Sequence, residues 1–301
     1  MSALDGVPAE VRIVEVGPRD GLQNEPRHLP AVTRIELIRR LVDAGLRTVE
    51  AGAFVSPRWV PAMADSAAVL HALPERDDVS FPVLVPNLKG LEAALEAGAR
   101  EVAVFGAASE TFSQKNINCS IAESLERFRP VAESARANGL RVRGYVSCVL
   151  GCPYEGAIAP TAVARVVDGL LALDCYEISL GDTIGVGTPR KVEALLDAVV
   201  PAAGTDRLAA HFHDTYGQAL ANVLTALERG VAVVDSSVGG LGGCPYARGA
   251  SGNLATEDLL YMLDGMGVRT GVALAGLVET ARWIAEQLDR PPASRVARAL
   301  A

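Results

Sequence analysis

The chain has 301 residues, half of them apolar, which is enough for a large core. Its net charge of −8 excludes an extended nucleic-acid surface, because phosphates need clustered Lys and Arg. No apolar run reaches the roughly 20 residues that span a bilayer, residues 1–10 carry no basic-then-apolar leader, and five scattered cysteines argue for free thiols in a reducing cytoplasm.

Taken in chain order, a first strand is predicted over residues 12–16, a helix over 31–44 and a second strand over 48–54. The alternation continues with helix 60–72, strand 79–85, helix 88–97, strand 101–105, helix 121–138, strand 141–147, helix 160–172 and strand 175–180. It ends with helix 189–200, strand 207–213, helix 219–229, strand 232–238 and helix 256–266. Four helices stop at a glycine, Gly45, Gly98, Gly139 or Gly230, and run straight into a Val-rich segment. Glycine takes the left-handed stop conformation at little steric cost, and short apolar runs suit strands buried on both faces. Eight βα units predict an α/β protein, a parallel (β/α)8 TIM barrel at about 11–270 within a single domain spanning 1–301. An open doubly wound sheet is disfavoured, since no early G-x-G-x-x-G turn occurs. An additional C-terminal helix is predicted at 274–289, and the Pro- and Arg-containing tail, 290–301, is expected to be mobile.

Barrel chemistry sits at the carboxyl ends of the strands. His211 and His213 lie two apart on the seventh strand, so both imidazoles face the same way. Core histidines satisfied by hydrogen bonds are the plain alternative; metal ligation is the stronger reading. Asp20 is the natural carboxylate partner and Asn253 an amide oxygen donor, a set suited to Mg²⁺, Mn²⁺ or another divalent ion. Arg19, held between Gly17-Pro18 and Gly21, can aim a guanidinium at a developing enolate oxygen, with Glu50 as its orienting partner. Asp182 is either a cap for its turn or a site residue. The glycine-rich segment 239–253 reads as a lid carrying Cys244, a candidate proton donor. Cys119, Cys148, Cys152 and Cys175 read as structural, His28 and His71 as surface histidines, Lys89 as solvated, and Asn116-Ile117-Asn118 as a weaker candidate for ligand contact.

These motifs together resemble the 3-hydroxy-3-methylglutaryl-CoA lyase family. The strings VGPRDGLQNE (16–25), FVSPRWVP (54–61), SLGDTIGVGTP (179–189), HFHDTYGQALANV (211–223) and VGGLGGCPYARGASGNLATEDLLYML (238–263) stand in the family's order. The resemblance implies a divalent metal, Mg²⁺ or Mn²⁺, on Asp20, His211, His213 and Asn253. It implies catalytic roles for Arg19, Asp20, His211, Glu50 and Cys244, and substrate contacts from Arg19, Gln23 and Asp182. The implied reaction cleaves the C2–C3 bond of 3-hydroxy-3-methylglutaryl-CoA to acetyl-CoA and acetoacetate, in leucine breakdown. The expected partners are an acyl-CoA and further copies of the chain, a dimer or larger, with no nucleic acid and no membrane. Ala53, where the family often has Ser or Thr, keeps a longer 3-hydroxy-3-alkylglutaryl-CoA open; Pro26, Arg190-Lys191 and the 288–292 stretch also depart from the family pattern. A condensing acyltransferase of the isopropylmalate synthase type is the other alternative, weakened because that group tends to have Asn where Asp214 stands. A pyruvate carboxyltransferase needs a buried barrel lysine, and Lys89, Lys115 and Lys191 all fall outside the predicted strands.

Overall fold

The computed structural model describes residues 6–243 and 252–300. The strands are β1 (Arg12–Glu15), β2 (Thr48–Val49), β3 (Gly52–Ala53), β4 (Val83–Leu84), β5 (Glu101–Ala107), β6 (Arg141–Ser147), β7 (Glu177–Asp182), β8 (Leu208–Phe212) and β9 (Val233–Ser236). All pair in parallel, in the order β2-β1-β9-β8-β7-β6-β5-β4-β3. β2 and β3 are the two halves of the predicted second strand. β2 pairs with β1 and β3 with β4, and between them Glu50 N donates to Glu15 O and Ala51 N to Pro82 O, both at 2.9 Å. One interrupted strand therefore joins both ends of the sheet, and eight strands close into a barrel. The third strand is shorter than the predicted 79–85 because Pro82 has no N–H to give to the ladder.

The helices are α1 (Ala31–Asp43), α2 (Ser66–His71), α3 (Leu88–Glu96), α4 (Glu110–Ile117), α5 (Ile121–Ala137), α6 (Pro160–Ala172), α7 (Pro189–Ala203), α8 (Ala219–Glu228), α9 (Thr256–Gly265), α10 (Leu274–Leu288) and α11 (Arg295–Ala299). The four glycines predicted to stop helices all take positive φ. Helix α1 buries Leu37, Ile38 and Leu41 completely against the sheet, each contributing about 1.5–3 kcal/mol of hydrophobic stabilisation. The predicted helix 60–72 divides: Pro61–Met63 forms a tight 3₁₀ turn, and Ser66 Oγ then donates to Met63 O and accepts from Ala53 N. Helix α4 was not predicted, although Ser109 caps it by accepting from Phe112 N at 3.0 Å. Asn116 and Ile117 are the last two residues of that helix.

The expectation of a mobile tail is corrected. Ser294 is fully buried and donates to Asp258 Oδ1 at 2.7 Å, Arg295 binds Asp214 at 2.9 Å, and Arg290 pairs with Glu25. Ala293 N donates to Gly239 O at 2.9 Å, so the tail packs beside the barrel mouth. Its partners are distant in sequence, and composition alone does not reveal them. The four cysteines Cys119, Cys148, Cys152 and Cys175 are all buried. Among the described residues no helix is long and apolar enough to cross a membrane.

Candidate active site

A five-residue π-helical turn, Gly17–Gly21, follows β1 and carries Arg19 and Asp20 to the barrel mouth. Strand β8 delivers His211, and His213 follows one residue beyond its end. Asp20, His211 and His213 each offer one ligand atom, all within 4.8 Å of one another. Asn253 pairs with His213 across an isolated bridge and donates through Nδ2 to Asp20 Oδ2 at 2.8 Å. The fit around Asn253 is tight. Gly242 has φ +111°, and a Cβ there would stand 2.8 Å from Asn253 Nδ2, so only glycine suits the approach.

The electrostatics favour a cation in this cluster. Asp20 is desolvated, but Arg19 and the two imidazoles hold its carboxyl down to about 2. Burial and the neighbouring His211 hold His213 at about 4, so it is neutral at ordinary pH. Both groups are thus in the deprotonated form that metal ligation requires. His213 Nδ1 is buried with no hydrogen-bond partner among the described residues, and an unsatisfied polar atom of this kind is costly unless something binds nearby. Two imidazoles, a carboxylate and an amide form a donor set that fits a divalent cation.

Arg19 is 6% exposed. Its Nη2 lies 2.8 Å from Glu50 Oε2 and its Nη1 2.9 Å from Asp20 Oδ1, so two carboxylates flank the guanidinium. Burial pushes the Glu50 carboxyl up, and the Arg19 charge opposes that rise. Gln23 lies half-buried just past the turn. Asp182 is fully buried, and its carboxylate accepts from Val186 N at 3.1 Å and Gly187 N at 2.7 Å. Of the two roles weighed for it, these contacts are those of a turn cap. Cys244 lies outside the described residues.

Several contributors were not singled out from the sequence. Asp235 on β9 accepts from His211 Nδ1 at 3.2 Å. That bond leaves His211 Nε2 facing Asp20, 4.0 Å away. Burial disfavours the charged His211 imidazole, but the hydrogen bond and charge of Asp235 outweigh it and raise its pKa. Asp235 is itself held by both Nη atoms of Arg143, at 2.7 and 3.0 Å, and by Ser179 Oγ at 2.8 Å. Arg143 Nε reaches Glu177 at 2.8 Å. The available signal was a charged residue facing inward in an otherwise apolar strand, as Arg143 and Asp235 do.

Two further buried carboxylates brace backbone amides at the mouth. Glu15 accepts from Gly17 N, Val238 N and Thr256 Oγ1 at 2.7–2.9 Å, and Glu257 accepts from Gly239 N. Desolvation raises Glu15 to about 7 and Glu257 to about 8, their backbone hydrogen bonds opposing it. A carboxyl that holds its proton more tightly when folded stabilises fully below its unfolded pKa, near 4.5, and loses that stabilisation as pH rises through the folded value. Calorimetry should therefore show Tm falling between about pH 5 and pH 9, with a flatter slope in Glu257→Gln. An equal slope in that variant would remove Glu257 as a cause.

A carboxylate, an amide and two imidazoles converging at the carboxyl mouth of a closed parallel barrel define a barrel enzyme with the donor set for a divalent cation. The chain belongs to the HMGL-like family, whose model matches residues 10–284. It is 60% identical over 298 residues to the mitochondrial hydroxymethylglutaryl-CoA lyase of Bos taurus, covering 99% of this chain and 92% of that protein. The crystal structure of hydroxymethylglutaryl-CoA lyase from Pseudomonas aeruginosa superposes with a TM-score of 0.96 at 56% identity, covering 98% of both chains. An Acinetobacter baumannii HMG-CoA lyase solved with coenzyme A and 3-methylmalate superposes with a TM-score of 0.93 at 37% identity, covering 97% of this chain and 95% of that one. The expectation of a cytoplasmic protein is corrected by these relatives. Those from Bos taurus, Macaca fascicularis and Arabidopsis thaliana are named as mitochondrial, which points away from the cytoplasm. Free thiols report a reducing compartment, not which one it is.

Proposed function

We propose that the protein is a carbon–carbon lyase that cleaves 3-hydroxy-3-methylglutaryl-CoA to acetyl-CoA and acetoacetate. The observation that carries this reading is the Asp20–His211–His213 cluster, with ligand atoms within 4.8 Å of one another, beside the buried Arg19–Glu50 pair. The lyase relatives, and the neighbour solved with coenzyme A, support the acyl-CoA substrate.

Asp20, His211, His213 and Asn253 would hold a divalent cation, Mg²⁺ or Mn²⁺. Bound there, it would lower the pKa of the C3 hydroxyl and fix the substrate's carboxylate. The chain's own residues do the rest. Cleavage of the C2–C3 bond pushes an electron pair toward the thioester oxygen, and Arg19 is aimed to stabilise the enolate formed. Glu50 holds Arg19 in one orientation, so little reorganisation accompanies the reaction. Asp20, held down to about 2, is a weak base, whereas His211, raised by Asp235, accepts a proton more readily. His211 and Asp20, 4.0 Å apart, are the groups placed to manage the hydroxyl proton. Cys244, as the sequence suggests, would carry the proton to the enolate carbon.

The test is a coupled assay over several 3-hydroxyglutaryl-CoA esters, the 3-methyl compound and longer 3-alkyl analogues among them, with and without EDTA. The expected result is fastest release of acetyl-CoA from the 3-methyl ester, abolished by EDTA and restored by Mg²⁺ or Mn²⁺. Preferential turnover of a longer ester would change the substrate. Condensation of acetyl-CoA with a 2-oxo acid, without cleavage, would overturn the reading.

A further inference from the structure

Tyr145 takes no part in the chemistry described so far, yet it touches two of the groups that do. It occupies an inward position of β6, level with Ser179 on β7 and Phe105 on β5, and keeps 8% of its surface exposed. The guanidinium carbon of Arg19 lies 5.6 Å from its ring centroid and that of Arg143 lies 4.9 Å away. The ring of His211 meets it nearly edge-on, with centroids 6.2 Å apart and planes at 84°. The phenol is thus wedged between the guanidinium assigned to the enolate and an imidazole assigned to the cation.

The hydrogen bonding of the phenol is one-sided. Its oxygen accepts from Arg143 Nη1 at 2.8 Å, and its own proton meets no acceptor among the described residues. A phenol has one O–H to donate, and a nearly buried donor ordinarily has a partner. Arg143 is itself only a donor and cannot take the phenol proton, so that proton is available to a ligand at the barrel mouth.

We propose that the Tyr145 hydroxyl is the second hydrogen-bond donor of the oxyanion site, acting with Arg19 on the thioester oxygen. As the C2–C3 bond breaks, its electron pair moves to that oxygen. Tyr145 shortens a hydrogen bond to the oxygen and retains its proton, so no proton is transferred. A neutral, fixed O–H adds stabilisation where charge develops without adding a second cation beside the metal cluster. Tyr145 is then a catalytic residue, and its ring separately positions Arg19 by a cation–π contact. The inference rests on the lyase reading.

Tyr145→Phe isolates the hydroxyl, because it keeps the ring between the two guanidinium groups and leaves Arg143 bonded to Asp235 and Glu177. The expected result is a fall in kcat for 3-hydroxy-3-methylglutaryl-CoA of about 100-fold, with KM and the Mn²⁺ dissociation constant within about two-fold of wild type. Activity is expressed per folded molecule by circular dichroism, with Tm recorded alongside. A purely structural role predicts a lower Tm with kcat per folded molecule preserved, and kcat within about three-fold of wild type would overturn the proposal. Wild-type protein is assayed in parallel. A wild type inert toward the ester overturns the lyase reading together with this inference, whereas an active wild type with an unimpaired Phe variant overturns this inference alone.

Discussion

Arg19→Met is expected to lower kcat by about 10³-fold while leaving the affinity for Mn²⁺ nearly unchanged. The reasoning follows from what Arg19 touches. Its guanidinium meets Glu50 and Asp20 at 2.8 and 2.9 Å, is 6% exposed, and lies over the Tyr145 ring. A buried, fully oriented cation does most for a charge that exists only in the transition state, because nothing reorganises as that charge forms. Methionine has similar length and no charge, so packing is roughly kept. Asp20 loses one partner but keeps Asn253 Nδ2 at 2.8 Å, which is why the cation cluster should persist. The check is steady-state kinetics together with Mn²⁺ titration by electron paramagnetic resonance. A variant that retains wild-type kcat, or one whose only defect is in metal binding, would contradict the enolate role.

His213→Ala is expected to have the opposite signature: a Mn²⁺ dissociation constant at least about 100-fold higher, with activity returning only at high metal concentration. His213 is buried, is held neutral by a pKa of about 4, and carries a nitrogen with no hydrogen-bond partner among the described residues. Removing it takes away one of three groups whose ligand atoms lie within 4.8 Å of one another. Asp235→Asn should produce a milder loss of metal affinity, about 10- to 100-fold, because it reaches the cluster through the bond that orients His211 and removes no ligand. Titration of the three proteins side by side is decisive. Equal metal affinity in His213→Ala and wild type would remove the cluster as a cation site.

The barrel itself was legible because its determinants are local. Helix-stopping glycines such as Gly45 and Gly98, followed by Val-rich runs, mark each return to the sheet, and all four predicted stops take positive φ. The site was legible for a related reason. His211 and His213 share a face by strand periodicity alone, and Gly17-Pro18 before Arg19-Asp20 announces a sharp turn at a strand end. Asp235 and Arg143 were harder to read. Each is an ordinary charged residue in an apolar run, and its meaning depends on a partner 92 residues away. Glu15 is the same case, since two of its donors, Val238 and Thr256, come from the far end of the chain.

By itself the sequence determined the period of the chain, the eight returns to the sheet, and the residue types gathered at the strand ends, since these follow from neighbours within a few positions. Only the tertiary structure decided that the second strand splits at Glu50 and Ala51 yet still closes the ring, and that the segment after Asp289 packs against Asp258 and Asp214 instead of trailing in solvent. It also decided which buried carboxylates face guanidinium groups and which brace backbone amides. The physical reason is common to all three: closure, docking and charge pairing depend on groups that meet through space, and their energies have no counterpart in a local window of residues.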